Sequence, residues 1–507
     1  MVALWRSGNA ASFIPGRTRW RASFTTEDAF MTSCTVGIDA ISLSTPRAFL
    51  ELADLAAARG VPVEKYTNGL GAVRMAIAGR GEDPVTLATD AAARVIDRAG
   101  IDPETIGMCA VGTETGIDHS KPIASYVHGL LELPRSCRVF DAKHACFGGT
   151  AALMAACEWI ASGAARGRRA LVLCTDIARY ALGSPGEPTQ GAGAVAMIVS
   201  ERPRLLEIEV GHTGRYARDV HDFWRPLNRR DALVDGHFSV ACYLDAFTGA
   251  FEEWRREEAR RGCGAALTRA VYHVPYPKMA RKADRQRATL EGLDDAAADA
   301  RFAREVAPSL LFSAEVGNIY TGSLYMAVAS LLHVEASRGE ASRGEASRGE
   351  ASRGEASRGE ASRGEARRVE ASRVEASRGE ASRGEASQIE GARIGLFSYG
   401  SGCGAELFAA RVADGAAAFV RRLALDEPIR DRVRLSFEEY EAIRRADAQE
   451  TPAPGVLDDG VPGDRTAFLG VDEAERRVYR RAGPASGTAR IAADAQDAPE
   501  ARAGAAA

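Results

Sequence analysis

From Val36 onward, short apolar runs alternate with stretches in which apolar residues recur every three or four positions. The first pattern suits a buried strand and the second an amphipathic helix. Strands are predicted at Val36–Ile41, Ile106–Gly112, Cys137–Phe140, Ala170–Cys174 and Ala194–Val199. Helices are predicted at Arg47–Arg59, Asp83–Ala99 and Thr150–Gly163, with Gly60 and Gly100 as stop signals after the first two. Ala181–Gln190 reads as a loop. A second series begins near Leu205, with helices Tyr243–Gly262 and Tyr320–Leu332 and strands Ala270–His273 and Arg393–Ser398. After it, Gly404–Leu425 reads as helical, Pro452–Asp464 as a loop and Phe468–Arg481 as a return to order. Repeated alternation of this kind predicts an α/β protein whose parallel or mixed sheets carry helices on their faces.

One segment breaks the pattern. From Glu335 to about Gly384 the pentapeptide Glu-Ala-Ser-Arg-Gly recurs almost unchanged. Glu and Arg at i, i+3 can support a helix, but each glycine costs about 1 kcal/mol there. Apolar content is too low to bury, and a period of five fits no solenoid. Residues 335–388 are therefore expected to be a disordered or fraying low-complexity surface insertion; a partner-binding arm is the other reading. It would interrupt a C-terminal unit over 205–482, which follows an N-terminal unit over 31–204. Residues 1–30 hold Arg6, Arg17, Arg19 and Arg21 with acids only at Glu27 and Asp28. They read as an over-extended start or disordered extension, with a transit peptide as the alternative. A disordered tail is expected over 483–507.

Composition narrows the function classes. The chain has 507 residues, 46% of them hydrophobic, and a formal net charge of −4, which gives no sign of nucleic-acid binding. No apolar run reaches membrane-spanning length, so no membrane association is expected. Nine cysteines without a Cys-x-x-Cys pair indicate neither a disulfide framework nor a zinc site. No metal is expected, and a reducing, cytoplasmic setting fits.

The chemistry concentrates at Ser136-Cys-Arg-Val-Phe-Asp-Ala-Lys-His-Ala-Cys146-Phe-Gly-Gly-Thr150, a strand, a turn and a small-residue helix start. A thiol at that turn feels the positive helix end and unpaired N–H groups, which favour a thiolate and a developing oxyanion. Gly148 and Gly149 permit close approach of backbone or ligand. A buried structural cysteine is the plainer alternative. Three more polar residues share the address: Glu114 after Ile106–Gly112, His273 closing Ala270–Tyr272, and Ser398 closing Arg393–Phe397. In open α/β sheets ligands bind beyond the carboxyl ends of strands, so the set points to one site.

His144-Ala-Cys-Phe-Gly-Gly-Thr-Ala-Ala-Leu153 resembles the nucleophile segment of the hydroxymethylglutaryl-CoA synthase family, within the thiolase-like superfamily. Gly112-Thr-Glu-Thr-Gly-Ile-Asp118 and Tyr272-His-Val-Pro-Tyr-Pro-Lys-Met279 are similar to the family's glutamate and histidine segments. Ser184–Gly193, Asp222–Pro226, Val316–Leu324 and Leu396–Gly402 extend the likeness over nearly the whole chain outside the repeat. The resemblance implies a duplicated, layered αβαβα fold. It implies that Cys146 takes an acetyl group from acetyl-CoA, Glu114 removes a methyl proton, and His273, helped by Asn318, holds the ketone of acetoacetyl-CoA. Further substrate contacts are implied at Ser398, Tyr180 and Thr189. Lys278 and Lys282, grouped with Arg281 after the histidine, are candidates for the phosphates of coenzyme A. No cofactor is expected, since the coenzyme A thioesters are substrates, and the family implies a homodimer.

Two alternatives stay open. Cys403 after the Ser398 turn leaves room for the family branch that works with acyl-carrier protein in polyketide β-methyl branching. The repeat leaves room for a non-catalytic interaction protein on the same fold.

Overall fold

The computed structural model describes residues 35–229, 231–262, 265–351, 389–449, 455–456 and 463–483. The extension at 1–30, the tail beyond Gly483 and repeat residues 352–388 lie outside the described residues.

Nine strands form one mixed sheet: β1 (Val36–Ser44), β2 (Ile106–Gly112), β3 (Arg138–Ala142), β4 (Arg169–Ala178), β5 (Gly191–Glu201), β6 (Leu206–Ala217), β7 (Arg269–Tyr272), β8 (Arg393–Gly400) and β9 (Gly404–Val412). Their order across the sheet is β7-β8-β9-β6-β1-β5-β4-β2-β3. Strands of the two series meet where β1 and β6 pair antiparallel, Gly37 opposite Glu207 and Ile38 opposite Leu206. β2 lies parallel to both β3 and β4, and β7 lies parallel to β8. The strand-end addresses of Glu114, Cys146, His273 and Ser398 therefore come from two parallel sets in one sheet.

Helix α1 (Pro84–Ala99) starts at a capping box between Asp83 and Thr86 and stops at Gly100, as its pattern predicts. Helix α2 (Gly148–Ala161) follows the Cys146 turn, and α3 (Gly236–Arg261) and α4 (Pro277–Glu291) belong to the second series. Helix α5 (Ser323–Ala351) begins with a run from Leu324 to Leu332 that is buried on every side. All-round burial is the mark of a central helix, and it explains why this run shows no amphipathic stripe. α6 (Phe437–Gln449) lies late in the chain.

Four expectations are corrected. Arg47–Arg59 is not one helix: Ala48–Glu51 is a strand antiparallel to Arg74–Ile77, and only Leu52–Ala58 is helical. Non-local pairing overrides the local helical pattern. Gly404–Leu425 is likewise split into β9 and a helix at Ala416–Leu423. β9 is buried on both faces along most of its length and so lacks the period-two alternation of a half-exposed strand. Helix α5 does not end near Leu332 but runs on to Ala351, through the first repeat units. Glu335, read as the start of a solvated insertion, is buried and paired at 3.2 Å with Arg269 of β7, and Ala336 belongs to the core. Arg338 lies 3.2 Å from Glu335, the i, i+3 pair that the repeat spacing predicts.

Candidate functional site

The chain leaves β3 through a turn in which Ala145 has φ +40°, a left-handed conformation costly for a non-glycine residue. Phe147 N–H donates to His144 C=O at 2.9 Å, and α2 begins at Gly148. The two glycines serve backbone packing. A Cβ on Gly149 would stand 2.5 Å from Cys174 Sγ and 2.7 Å from Thr321 C=O. A Cβ on Gly112, at the end of β2, would stand 2.3 Å from Gly149 N. The nucleophile helix is thus wedged against β2, the strand that delivers Glu114.

Cys146 Sγ donates to Glu114 Oε1 at 3.2 Å. Glu114 N–H donates to Asp176 Oδ1 at 2.9 Å, and the Arg225 guanidinium donates to Glu114 C=O. Asp176, near the end of β4, also accepts from Thr115 Oγ1 at 2.8 Å and Thr321 N–H at 3.1 Å. Burial, reinforced by the Asp176 carboxylate, raises the Glu114 carboxyl from 4.5 to about 8; the Cys146 hydrogen bond and Arg225 only partly oppose this. Burial and the Glu114 carboxylate push the Cys146 thiol well above its ordinary value. The expected resting thiolate is therefore corrected. Lost hydration and a facing carboxylate outweigh the helix end, and the two side chains hold a proton between them.

His273 follows β7, with its N–H donating to Phe397 C=O at 2.7 Å and its C=O accepting from Tyr243 Oη at 2.9 Å. Burial lowers its imidazole to about 3, so the ring is neutral. The register of β7 and β8 pairs Tyr272 with Phe397, which brings His273 level with Ser398. Thr150 Oγ1, one turn into α2 from Cys146, donates to Ser398 Oγ at 2.7 Å. The Ser398 hydroxyl is thus engaged from within the fold, joining β8 to α2. Two residues on, a Cβ at Gly400 would lie 2.6 Å from Phe147 N and His144 C=O. The end of β8 is therefore in contact with the nucleophile turn.

Asn318 is buried, and its Oδ1 accepts from Tyr320 N–H and Ser323 Oγ, both at 2.9 Å. Its amide NH2 is the end left to donate outward. The Tyr180 hydroxyl lies beside those of Tyr320 and Thr189, within electrostatic reach of Cys146 and Glu114. Phe223 stacks edge-on between the Tyr180 and Tyr320 rings, at 6.4 and 5.7 Å. Glu114, Cys146, Tyr180 and Thr189 thus share one neighbourhood. Lys278 and Lys282 sit on the first turns of α4, outside this cluster; burial and the charge of Lys278 lower the Lys282 ammonium. Arg281, grouped with them in the sequence, is committed to Asp299 at 3.0 Å.

Asp176, Arg225, Tyr320 and Thr321 were not singled out from the sequence. Asp176 had a signal, a polar residue within a buried strand. Asp222, the first residue of the Asp222–Pro226 segment, is fully buried and accepts from Tyr399 Oη at 2.6 Å and Gly402 N–H at 3.0 Å, holding the turn beyond β8.

Among the described residues, Glu209, His212 and Glu258 come close enough to hold a metal. Arg393 fills the place of a cation, with Nη2 2.6 Å from each carboxylate, so the group reads as an ion-pair cluster. Among the described residues no helix is long and apolar enough to cross a membrane.

The profile of the hydroxymethylglutaryl-coenzyme A synthase N terminal family matches residues 32–203, and that of the C terminal family matches 206–291 and 380–480. The hydroxymethylglutaryl-CoA synthase of Enterococcus faecalis is 33% identical over 428 residues, covering 84% of this chain and 95% of the relative. The polyketide biosynthesis 3-hydroxy-3-methylglutaryl-ACP synthase PksG of Bacillus subtilis is 28% identical over 419 residues, 80% of this chain and 87% of that one. A solved structure of MvaS in complex with 3-hydroxy-3-methylglutaryl coenzyme A is similar at 41% identity and TM-score 0.74, over 89% of this chain and all of that one. The curacin biosynthetic pathway HMG synthase gives 29% identity and TM-score 0.72, over 88% of this chain and 100% of that one.

Proposed function

The chain belongs to the hydroxymethylglutaryl-CoA synthase family of thiolase-like enzymes, and from that premise we propose that it condenses acetyl-CoA with acetoacetyl-CoA. The product is 3-hydroxy-3-methylglutaryl-CoA, an intermediate of the mevalonate route to isoprenoid precursors. The observation that carries this reading is the 3.2 Å contact between Cys146 Sγ and Glu114 Oε1.

Cys146 attacks the acetyl thioester carbonyl as its proton passes to Glu114. The C–S bond to coenzyme A breaks, and free coenzyme A leaves with a proton, giving acetyl-Cys146. Glu114, ionised again, then takes a proton from the acetyl methyl group. A carboxyl raised to about 8 is a strong enough base for this and still ionises near neutral pH. In this reading backbone N–H groups at the Cys146 turn stabilise the enolate oxygen. The enolate carbon attacks the ketone of acetoacetyl-CoA. Neutral His273 and the Asn318 amide donate to that oxygen, and the alkoxide takes the proton that Glu114 removed from the methyl group, which returns Glu114 to the carboxylate. Water then cleaves the Cys146 thioester, releasing the product and restoring the thiol. Lys278 and Lys282 serve the coenzyme A phosphates electrostatically.

The enzyme acts as a homodimer in this reading. β3 forms one edge of the sheet, partly exposed from Val139 to Ala142, and an unpaired edge is a template for a second copy.

The decisive experiment is incubation with labelled acetyl-CoA, followed by addition of acetoacetyl-CoA. Label should attach to wild-type protein, not to Cys146→Ser, and pass into 3-hydroxy-3-methylglutaryl-CoA. Absence of covalent transfer would overturn the reading. A second reading, carrier-protein-linked substrates, is favoured by the likeness to PksG and the curacin synthase. A clear preference for acetoacetyl carrier protein over acetoacetyl-CoA would select it.

A further inference from the structure

Helix α6 supplies nothing to the hydrogen-bonded cluster around Cys146, yet it grips the segment carrying Tyr180 and Thr189 at both ends. Arg444 Nη2 donates to Tyr180 C=O at 3.0 Å. On the other side, Tyr180 N–H donates to Gln190 Oε1 at 3.2 Å, and Gln190 Nε2 donates to Tyr440 Oη at 2.8 Å. The Tyr440 hydroxyl donates in turn to Glu187 Oε1 at 3.0 Å. Glu187 is 1% exposed and takes two further bonds from Arg59, at 2.9 and 2.7 Å, and one from Gly183 N–H at 2.9 Å. Asp447 of α6 pairs at 3.0 Å with Arg179, the neighbour of Tyr180. Arg444 also lies 3.6 Å from Asp231, in the stretch that carries Phe223 and Arg225.

We infer that α6 is a clamp for the acyl-binding wall. Tyr440 and Arg444 are positioning residues that hold Tyr180 and Thr189 against the Cys146–Glu114 pair and keep water from it. Both peptide groups of Tyr180 are tied by bonds that end on α6, so the backbone that carries its ring cannot shift unless they break. Arg444 faces Tyr180 and Asp231 with Nη2 while Nη1 lies 3.5 Å from Asp447, a planar two-nitrogen arrangement that a lysine cannot reproduce. A buried group that loses its partner costs more than the bond itself contributes, so loosening the clamp releases the segment rather than letting it settle in place. The kinetic part of this inference rests on the proposed reaction; the geometric part does not.

The test compares Tyr440→Phe, Arg444→Met and the conservative Arg444→Lys with wild type, each shown to be folded by its melting curve. Condensation by Arg444→Met and Tyr440→Phe should fall about tenfold in kcat, with a higher KM for acetoacetyl-CoA, and Arg444→Lys should recover part of the loss. As water reaches Glu114, whose charged and titratable neighbours include Cys146, Asp176, Arg225, Tyr180 and Tyr320, the acid limb of the pH–rate profile should move to lower pH. Alkylation of Cys146 by iodoacetamide, followed on its peptide by mass spectrometry, should quicken about fivefold, since the thiol becomes more accessible and more easily ionised. Lower melting temperatures with unchanged kinetics, pH profile and alkylation would make α6 merely structural and overturn the inference. If wild type condenses nothing, the proposed reaction fails, while the alkylation rates still decide the clamp.

Discussion

Cys146 and Glu114 lie 32 residues apart in sequence, and their reactive atoms are 3.2 Å apart because α2 is wedged against the end of β2 at Gly112 and Gly149. That contact sets the resting state of the site. The thiol keeps its proton, and the carboxyl, raised by burial yet still able to ionise near neutral pH, stands within reach to receive it.

Replacing Glu114 with alanine should separate the two half-reactions. The nucleophile remains, so acetyl transfer to Cys146 should persist at a reduced rate, while condensation falls much further, by about 10²–10⁴, with the loss of the base that enolisation requires. Single-turnover labelling alongside steady-state product formation checks this; equal loss of both steps would contradict the assignment.

The raised carboxyl also makes a stability prediction. Glu114 moves from 4.5 to about 8 on folding, so the folded state binds the extra proton between those values. Its protonation supports the fold fully at low pH, and that support is lost as pH rises through 8. Glu114→Gln should therefore gain melting temperature relative to wild type as pH is raised from about 5 to about 9. Melting curves across that range, showing a constant difference, would count against it.

His273 is buried and neutral and stands level with Ser398, and in the proposed reaction it serves the acceptor ketone rather than the thiol. His273→Ala should leave acetylation intact while lowering kcat/KM for acetoacetyl-CoA by about a hundredfold. Measured acetylation and condensation rates on the same preparation distinguish this from misfolding.

Excising Glu340–Gly379 should leave activity and melting temperature near wild type, because the anchors on either side stay in place. Glu335 holds one end to Arg269, and Arg393 holds the other to Glu209 and Glu258. Arg393→Ala, by contrast, should destabilise by roughly 3 kcal/mol, since it strands two partly buried carboxylates. Chemical denaturation of the two variants side by side reads the contrast.

If β3 is the dimer edge, light scattering on purified protein should give twice the chain mass. A proline at Val139 should shift it toward monomer, because proline cannot donate to a ladder.

Much of the site could be read along the chain. A polar residue closing a buried strand is a local pattern, and it picked out Glu114, Cys146, His273 and Ser398. Asp176 lies two residues inside a strand that runs on to Ala178, so a polar residue within the strand, not one closing it, marks its place. The same rule could not have found Tyr440 or Arg444, which reach the site through residues such as Gln190 and Tyr180, 250 and 264 positions away. Strand β9 escaped for another reason: a strand covered on both faces carries no alternation to distinguish it from a helix.

The order of residues by itself determined the alternating elements, the nucleophile turn, the separate character of the repeat and the family whose chemistry they carry. Those are short-range properties, set by side-chain period and turn stereochemistry. Only the tertiary structure decided that the thiol rests protonated, that Ser398 binds inward, that Arg281 is already paired and that α6 holds the wall of the site. Ionisation and hydrogen-bond partners depend on how much water is excluded and which charge stands opposite, and both are fixed when distant segments pack together.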